Sequence, residues 1–232
     1  MGNDLLSGAI DLHVHVGPDY IPRFSDALSL AEESKEAGMR AIVIKGHLSS
    51  TVAYAYAASK VTQGISVFGG ITLNEPNGAF NVRNVIACIK SGGKMIWLPT
   101  VDAAYAVRKA EEGHWIKHYV NGSLFGYQRK GLSVLDDDNR LLDEVNDILR
   151  LCKESDLILG TGHISPREAL VLAREAEKIN YKKLEITHPN AWLEDFTIPV
   201  IKELIGLGAT ITSLTVCVPI ITAARTPGRL SK

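Results

Sequence analysis

Seven histidines are spread over the 232-residue chain, and five of them stand at or just after the end of a short apolar run: His13, His15, His47, His163 and His188. In "AIDLHVHVGPD", which begins at Ala9, two of them are spaced i, i+2. Side chains alternate along a strand, so His13 and His15 share a face and are close enough to chelate one ion. Imidazole nitrogens bind zinc at about 2.0–2.1 Å and suit borderline divalent metals generally. His163 in "GTGHIS" and His188 in "ITHPN" supply two further nitrogens. Asp11 has the same parity as His13, one step deeper, where a carboxylate would orient a ligand.

A second oddity is Lys45, which ends the apolar run "AIVIKGH" and shares a face with His47. Burial lowers a lysine pKa, so such a residue needs a partner or a task. Two tasks fit: a carbamylated lysine bridging two metals, or an ammonium holding an anionic substrate. Glu75 in "TLNEPNG" and Asp102 in "PTVD" follow apolar runs as well, and each is placed to serve as a general base or an oxygen ligand. Arg23, His47, His114 and His118 are candidate substrate contacts, the last two lying four residues apart and so on one face of a helix.

These residues need a scaffold that brings run ends together. Strand-length apolar runs at 9–14, 41–45, 66–72, 94–99, 157–161, 183–187 and 209–213 alternate with helix-period segments. The runs are nearly continuous, as parallel strands covered on both faces require. Helix ends are legible: Ser25-Asp26 opens one that stops at Gly38, and "SPRE" at 165–168 combines an N-cap, Pro at the first position and a capping-box Glu. "SGGK" at 91–94 closes another. Repeated βα units imply right-handed crossovers, in an eight-stranded barrel or an open doubly wound sheet. No G-x-G-x-x-G follows the first run, which favours the barrel. The barrel also explains the histidines, because its active site lies at the C-terminal ends of its strands.

One connection, residues 101–138, is far longer than an ordinary βα loop and reads as a lid-like insertion. It carries His114, Trp115, His118, Tyr119, Phe125 and Tyr127, and ends in a small hairpin at 132–142 turning at 137–139. No linker or repeat divides the chain, so residues 1–232 read as a single domain.

Lys+Arg number 25 against 26 Asp+Glu, which gives no electrostatic reason to expect nucleic acid or an anionic membrane as partner. No run approaches a transmembrane length, and the first residues have neither a basic nor an apolar signal region. Cys88, Cys152 and Cys217 are far apart inside apolar runs, consistent with buried thiols in a reducing cytoplasm.

"GAIDLHVHVGPD", "AIVIKGH", "GGITLNEPNGAFN", "MIWLPTVDA", "TGHISPREAL" and "ITHPN" together resemble an uncharacterised amidohydrolase-like family near the metal-dependent hydrolase (amidohydrolase) superfamily of TIM-barrel enzymes. The resemblance runs from about residue 5 to about residue 211. It implies one or two divalent ions, zinc foremost with manganese or iron as alternatives, on His13, His15, His163 and His188. It implies hydrolysis of an amide, lactone or ester of a small molecule by metal-activated water. The sequence departs from the superfamily at two points. Its bridging lysine or acid follows strand four, where this chain has "LPTVD", and its aspartate after strand eight has no counterpart.

The last carboxylate is Glu203, and "SLTVCVPIITAARTPGRLSK" from Ser213 shows no helix period. The expected fold is therefore a TIM-type (β/α) barrel with seven recognisable strands. The eighth is missing or irregular, through truncation or a shifted reading frame near residue 213, or is replaced by a short strand in "TVCVPIIT". Open strand edges would invite homo-oligomers. The expected function is a cytoplasmic metal-dependent hydrolase with Lys45, Asp102 and Glu75 in catalytic roles. The alternatives are a metal-dependent decarboxylase, a phosphoesterase, or an inactive homologue that still binds metal or ligand.

Overall fold

A computed structural model describes residues 4–120, 129–192 and 194–213. Seven strands form one parallel sheet: β1 (Ile10–His15), β2 (Ala41–Lys45), β3 (Ser66–Thr72), β4 (Met95–Trp97), β5 (Ile158–Gly160), β6 (Leu184–Ile186) and β7 (Thr210–Ile211). Their order in space is their order in the chain. The helices between them are α1 (Ala27–Glu36), α2 (Val52–Val61), α3 (Val82–Lys90), α4 (Ala104–Glu111), α5 (Lys117–Val120), α6 (Asp143–Glu154), α7 (Pro166–Lys178) and α8 (Ile198–Gly206). Among the described residues no helix is long and apolar enough to cross a membrane.

The sheet is curled. Neighbouring strands lie about 4.7–4.9 Å apart, so in a flat sheet β1 and β6 would be separated by roughly 24 Å. Instead the His13 ring at the end of β1 lies 5.2 Å from the His188 ring just after β6. Lys45 on β2 sits 5.2 Å above the Trp97 ring on β4. Sequential parallel order with contacts across the interior makes the described residues seven strands of a TIM-type barrel, incomplete among those residues, and the open doubly wound sheet is excluded.

Apolar residues on both faces of the strands explain their near-continuous sequences. On β2, Ile42 and Ile44 meet Ala31 of α1 and Ala55 and Ala58 of α2, whereas Val43 meets Met95 and Trp97 of β4 inside the curl. On β4, Ile96 belongs to the large outer core with Val85 of α3 and Ile148 and Leu149 of α6. Trp97 fills the interior because its neighbours on β3 and β5 lack side chains there. A Cβ on Gly160 would stand 2.5 Å from Trp97 and 2.6 Å from the Glu185 carboxylate.

Helix ends follow the sequence. Asp26 caps α1 by accepting from the backbone of Leu28 and Ser29, and Gly38 beyond it has φ +76°. Ser165 and Glu168 form the capping box of α7. Glu168 also accepts from Val134 N and Ser133 Oγ, tying α7 to the hairpin at 132–142, where Leu135 pairs with Leu141.

Two expectations change. The long connection after β4 contains α4, which buries Tyr105, Ala106 and Ala110, so this part of it is core helix. Alanines at 103, 104, 106 and 110 let that helix approach closely. Within β1 the register slips between Asp11 and Val14, inserting a residue against β2. The bulge turns Leu12 toward the inner cluster. Asp11 then accepts the backbone N–H of His13 at 2.8 Å, in place of orienting its ring. Phe125, Tyr127, Cys217 and the "TVCVPIIT" stretch lie outside the described residues.

Candidate metal centre

Five histidines converge at the C-terminal mouth of the barrel. β1 delivers His13 and His15, whose Nε2 atoms are 3.1 Å apart. His163 follows β5 and His188 follows β6, with Nε2 atoms 3.3 Å apart. The two pairs meet where His13 faces His188. His47, two residues beyond β2, stacks on His15 with ring centroids 4.6 Å apart.

The turns that carry these rings are tightly built. Gly162, before His163, has φ +60° and comes against the carbonyls of Leu98 and Pro99, leaving no room for a side chain. His188 itself has φ +34°, a left-handed conformation uncommon for a non-glycine residue. The His47 carbonyl accepts from Asn74 and Asn77, at 3.4 and 3.2 Å, in the turn that also carries Glu75.

Asp19 organises the β1–β2 side. It lies 2.9 Å from His47 Nδ1 and 3.4 Å from His15 Nδ1, and pairs with Arg23. Burial alone would raise the Asp19 carboxyl. Hydrogen bonds from His15 and His47, and the charge of Arg23, hold it well below the usual carboxylate range instead. With Nδ1 of both rings turned to a carboxylate, the hydrogen-bond network assigns the proton there and leaves Nε2 with its lone pair.

Burial, followed by the nearby Lys45 charge, drives His13 far below its ordinary pKa and His188 to about 3. His163 is lowered by burial and then by His188, and His15 and His47 by burial against the opposing pull of Asp19. All five are therefore neutral imidazoles near neutral pH. Lys45 is fully buried, and its Nζ has no hydrogen-bond acceptor among the described residues. Burial lowers its pKa, opposed by the Glu185 carboxylate across the barrel.

Each of the two Nε2 pairs is spaced for a divalent ion. Two nitrogens at tetrahedral angles, each about 2.0–2.1 Å from one zinc, are roughly 3.3 Å apart, and the two Nε2 pairs stand at 3.1 and 3.3 Å. Among the described residues, three or more ligand-type side chains bring donors within 4.8 Å of one another at one place, His15, Asp19 and His47. There Arg23 Nη2 already approaches both Nδ1 atoms, at 3.3 and 3.4 Å, so a cation would compete with a guanidinium.

The other sequence candidates are distributed around this centre. Asp102 is buried, bonded to Arg129 through Oδ1 and to the Glu75 backbone N–H through Oδ2. Glu75 is half-buried beside it. His114 precedes α5 and stacks on Trp192 at 4.6 Å, while His118 is exposed on α5, so the two do not share a helical face. Trp192 in turn lies 5.3 Å from His163. Asp19 and Glu185 were missed from the sequence. Glu185, a carboxylate inside the apolar run at 183–187, carried the same signal as Lys45.

The family described as "Family of unknown function (DUF6282)" matches over residues 8–212. No curated protein matches the sequence. Among solved structures, the N-acetylmannosamine-6-phosphate 2-epimerase from Clostridium perfringens is 14% identical with a TM-score of 0.43, covering 91% of this chain and 88% of its own. A deoxyribose-phosphate aldolase structure from Coccidioides immitis is 12% identical with a TM-score of 0.40, covering 96% and 86%. At such identities and scores neither likeness bears on what this chain does.

Proposed function

We propose that this chain, which belongs to the DUF6282 family of unknown function, is a metal-dependent hydrolase acting on an amide, lactone or ester bond of a small molecule. The observation that carries this reading is the convergence of neutral His13, His15, His163 and His188, with Nε2 pairs at 3.1 and 3.3 Å. The two pairs would hold one or two ions, zinc by ligand type. A bound divalent ion supplies a water whose pKa falls from 15.7 to about 7, together with polarisation of a carbonyl oxygen.

The chain's own residues divide the remaining work. Asp19 fixes the tautomers of His15 and His47, so that both rings offer Nε2 toward the mouth. Arg23 balances the Asp19 charge. Trp97 beneath His13 closes the barrel interior to water. Asp102 has both oxygens engaged, by Arg129 and by the Glu75 backbone N–H. Glu75, on the turn that anchors the His47 carbonyl, is the better candidate base. The rim aromatics around Trp192, with His114, would contact substrate.

Metal-stripped protein titrated with zinc, manganese or ferrous iron tests the reading, together with turnover on a panel of esters, lactones and amides. Stoichiometric binding and hydrolysis, both lost in His13→Ala, are expected. Absence of stoichiometric binding would overturn the metal assignment. Release of carbon dioxide or inorganic phosphate in place of hydrolysis would redirect the reaction class, and binding without any turnover would mark a non-catalytic homologue.

A further inference from the structure

Glu185 is a buried carboxylate in the middle of β6, below the histidine cluster. Both its oxygens are engaged by threonine hydroxyls. Thr187 Oγ1 donates to Oε2 at 2.6 Å, and Thr212 Oγ1 donates to Oε1. Each hydroxyl then reaches onward to a backbone that carries a histidine. Thr187 Oγ1 accepts the N–H of Gly162 at 3.0 Å, and Thr212 Oγ1 accepts the N–H of His188 at 3.3 Å.

The direction of these bonds matters. A hydroxyl has one proton and two lone pairs. Once the proton is committed to a carboxylate, the lone pairs are left to accept N–H groups; for Thr212 the Ile186 carbonyl, 3.2 Å away, is the competing acceptor that the Glu185 charge overrides. Glu185 therefore sets the polarity of both links. The links stand where the sheet stops providing them: β5 ends at Gly160 and β6 at Ile186, short of the histidines. Beyond those points the threonines continue the cross-strand bonding, with Thr187 N donating to Thr161 Oγ1 at 2.9 Å. They hold Gly162 at φ +60° and His188 at φ +34°, conformations that need support from their surroundings.

We propose that Glu185 is a positioning residue for the histidine cluster, fixing the backbones of the Gly162–His163 turn and of His188 through Thr187 and Thr212. It serves the β5–β6 half of the site as Asp19 serves the β1–β2 half. The functional importance of this role rests on the metal reading above, but the positioning is tested without metal.

The experiment follows the imidazole resonances of metal-free protein by NMR, alongside zinc affinity measured by competition with a chromogenic chelator. Glu185→Gln presents an amide N–H2 to one threonine, whose own proton must turn away, in the case of Thr212 to the Ile186 carbonyl. Thr212→Val removes the acceptor for the His188 N–H, and Thr212→Ser keeps it. The expected result is altered His163 and His188 resonances in Glu185→Gln, altered His188 resonances in Thr212→Val, and unchanged His15 and His47. Zinc affinity falls about 10–100-fold in both variants, the usual effect of losing an outer-shell support. Thr212→Ser behaves as wild type. Leu149→Ala, in α6 away from the mouth, lowers the thermal midpoint without moving either readout. Unaltered His163 and His188 resonances in Glu185→Gln, or equal damage from Thr212→Ser and Thr212→Val, would overturn the proposal. If Glu185→Gln does not fold, the serine–valine comparison decides. Wild-type protein that binds no zinc, with the resonance pattern as expected, removes the metal reading and leaves the positioning role standing.

Discussion

The rings of His15 and His47 lie 18° from parallel with centroids 4.6 Å apart, and both turn Nδ1 to the carboxylate of Asp19. One buried carboxylate thus sets two imidazoles from adjacent strands to the same tautomer, with both Nε2 atoms on the side away from it.

Asp19→Asn tests that clamp. An amide accepts through one atom only and donates through the other, so it cannot receive Nδ1–H from both rings and balance Arg23 as well. Zinc affinity is expected to fall about 10–100-fold, as when other ligand-orienting carboxylates are removed. Affinity equal to wild type in a chelator competition would refute the clamp.

Arg129→Ala leaves the Asp102 charge buried without its cation, and Asp102 is only 1% exposed. Removing one member of a buried pair costs about 3–5 kcal/mol. Urea unfolding should show a loss of that order, and the Arg129→Ala/Asp102→Asn double variant should recover part of it. Recovery in the double variant would identify Asp102 as a structural anchor for Glu75 and Arg129. Equal loss in both would not fit this account.

Gly160→Ala places a methyl 2.5 Å from Trp97 and 2.6 Å from Glu185, both fixed in the barrel interior. Overpacking of this kind costs about 1–3 kcal/mol. The thermal midpoint should drop and the tryptophan emission should shift as the Trp97 ring moves. A variant identical to wild type in both measurements would contradict the packing described for the interior.

Stability should decline at high pH through two thiols. Burial pushes Cys88 up to about 11, and burial followed by the Cys88 charge pushes Cys152 up to about 12. In the unfolded chain both ionise near pH 8.5. Below that value neither state is ionised, and the contribution to stability is complete. As pH rises beyond it the unfolded chain alone loses protons, so stability falls by up to about 1.4 kcal/mol per pH unit for each thiol. The fall ends where the folded thiols themselves ionise, near pH 11 and 12. Urea midpoints of wild type and Cys88→Ala/Cys152→Ala, followed from pH 8 to 10.5, should converge as pH rises. Parallel curves would show that these thiols are not held neutral.

Much of the scaffold could be read from the chain because it depends on local rules. Continuous apolar runs give strands covered on both faces, Ser165 and Glu168 announce a helix start, and the i, i+2 spacing puts His13 and His15 on one side. The bulge in β1 was invisible because it is set by how β1 registers on β2, and it reassigned Asp11 from the His13 ring to the His13 backbone. Asp19 was hidden because it belongs to a turn, four residues beyond His15, where no periodicity announces where a side chain will point.

By itself the sequence determined which residues stand at strand ends, since alternation along a chain needs no knowledge of the rest of the molecule. The curl of the sheet decided which of those ends meet. It set His13 against His188, turned Glu185 toward Lys45, and gave Asp102 to Arg129 rather than to the histidines. Electrostatics and hydrogen bonding act over a few ångströms, and residues distant in the chain come within that range only when the tertiary fold closes the distance.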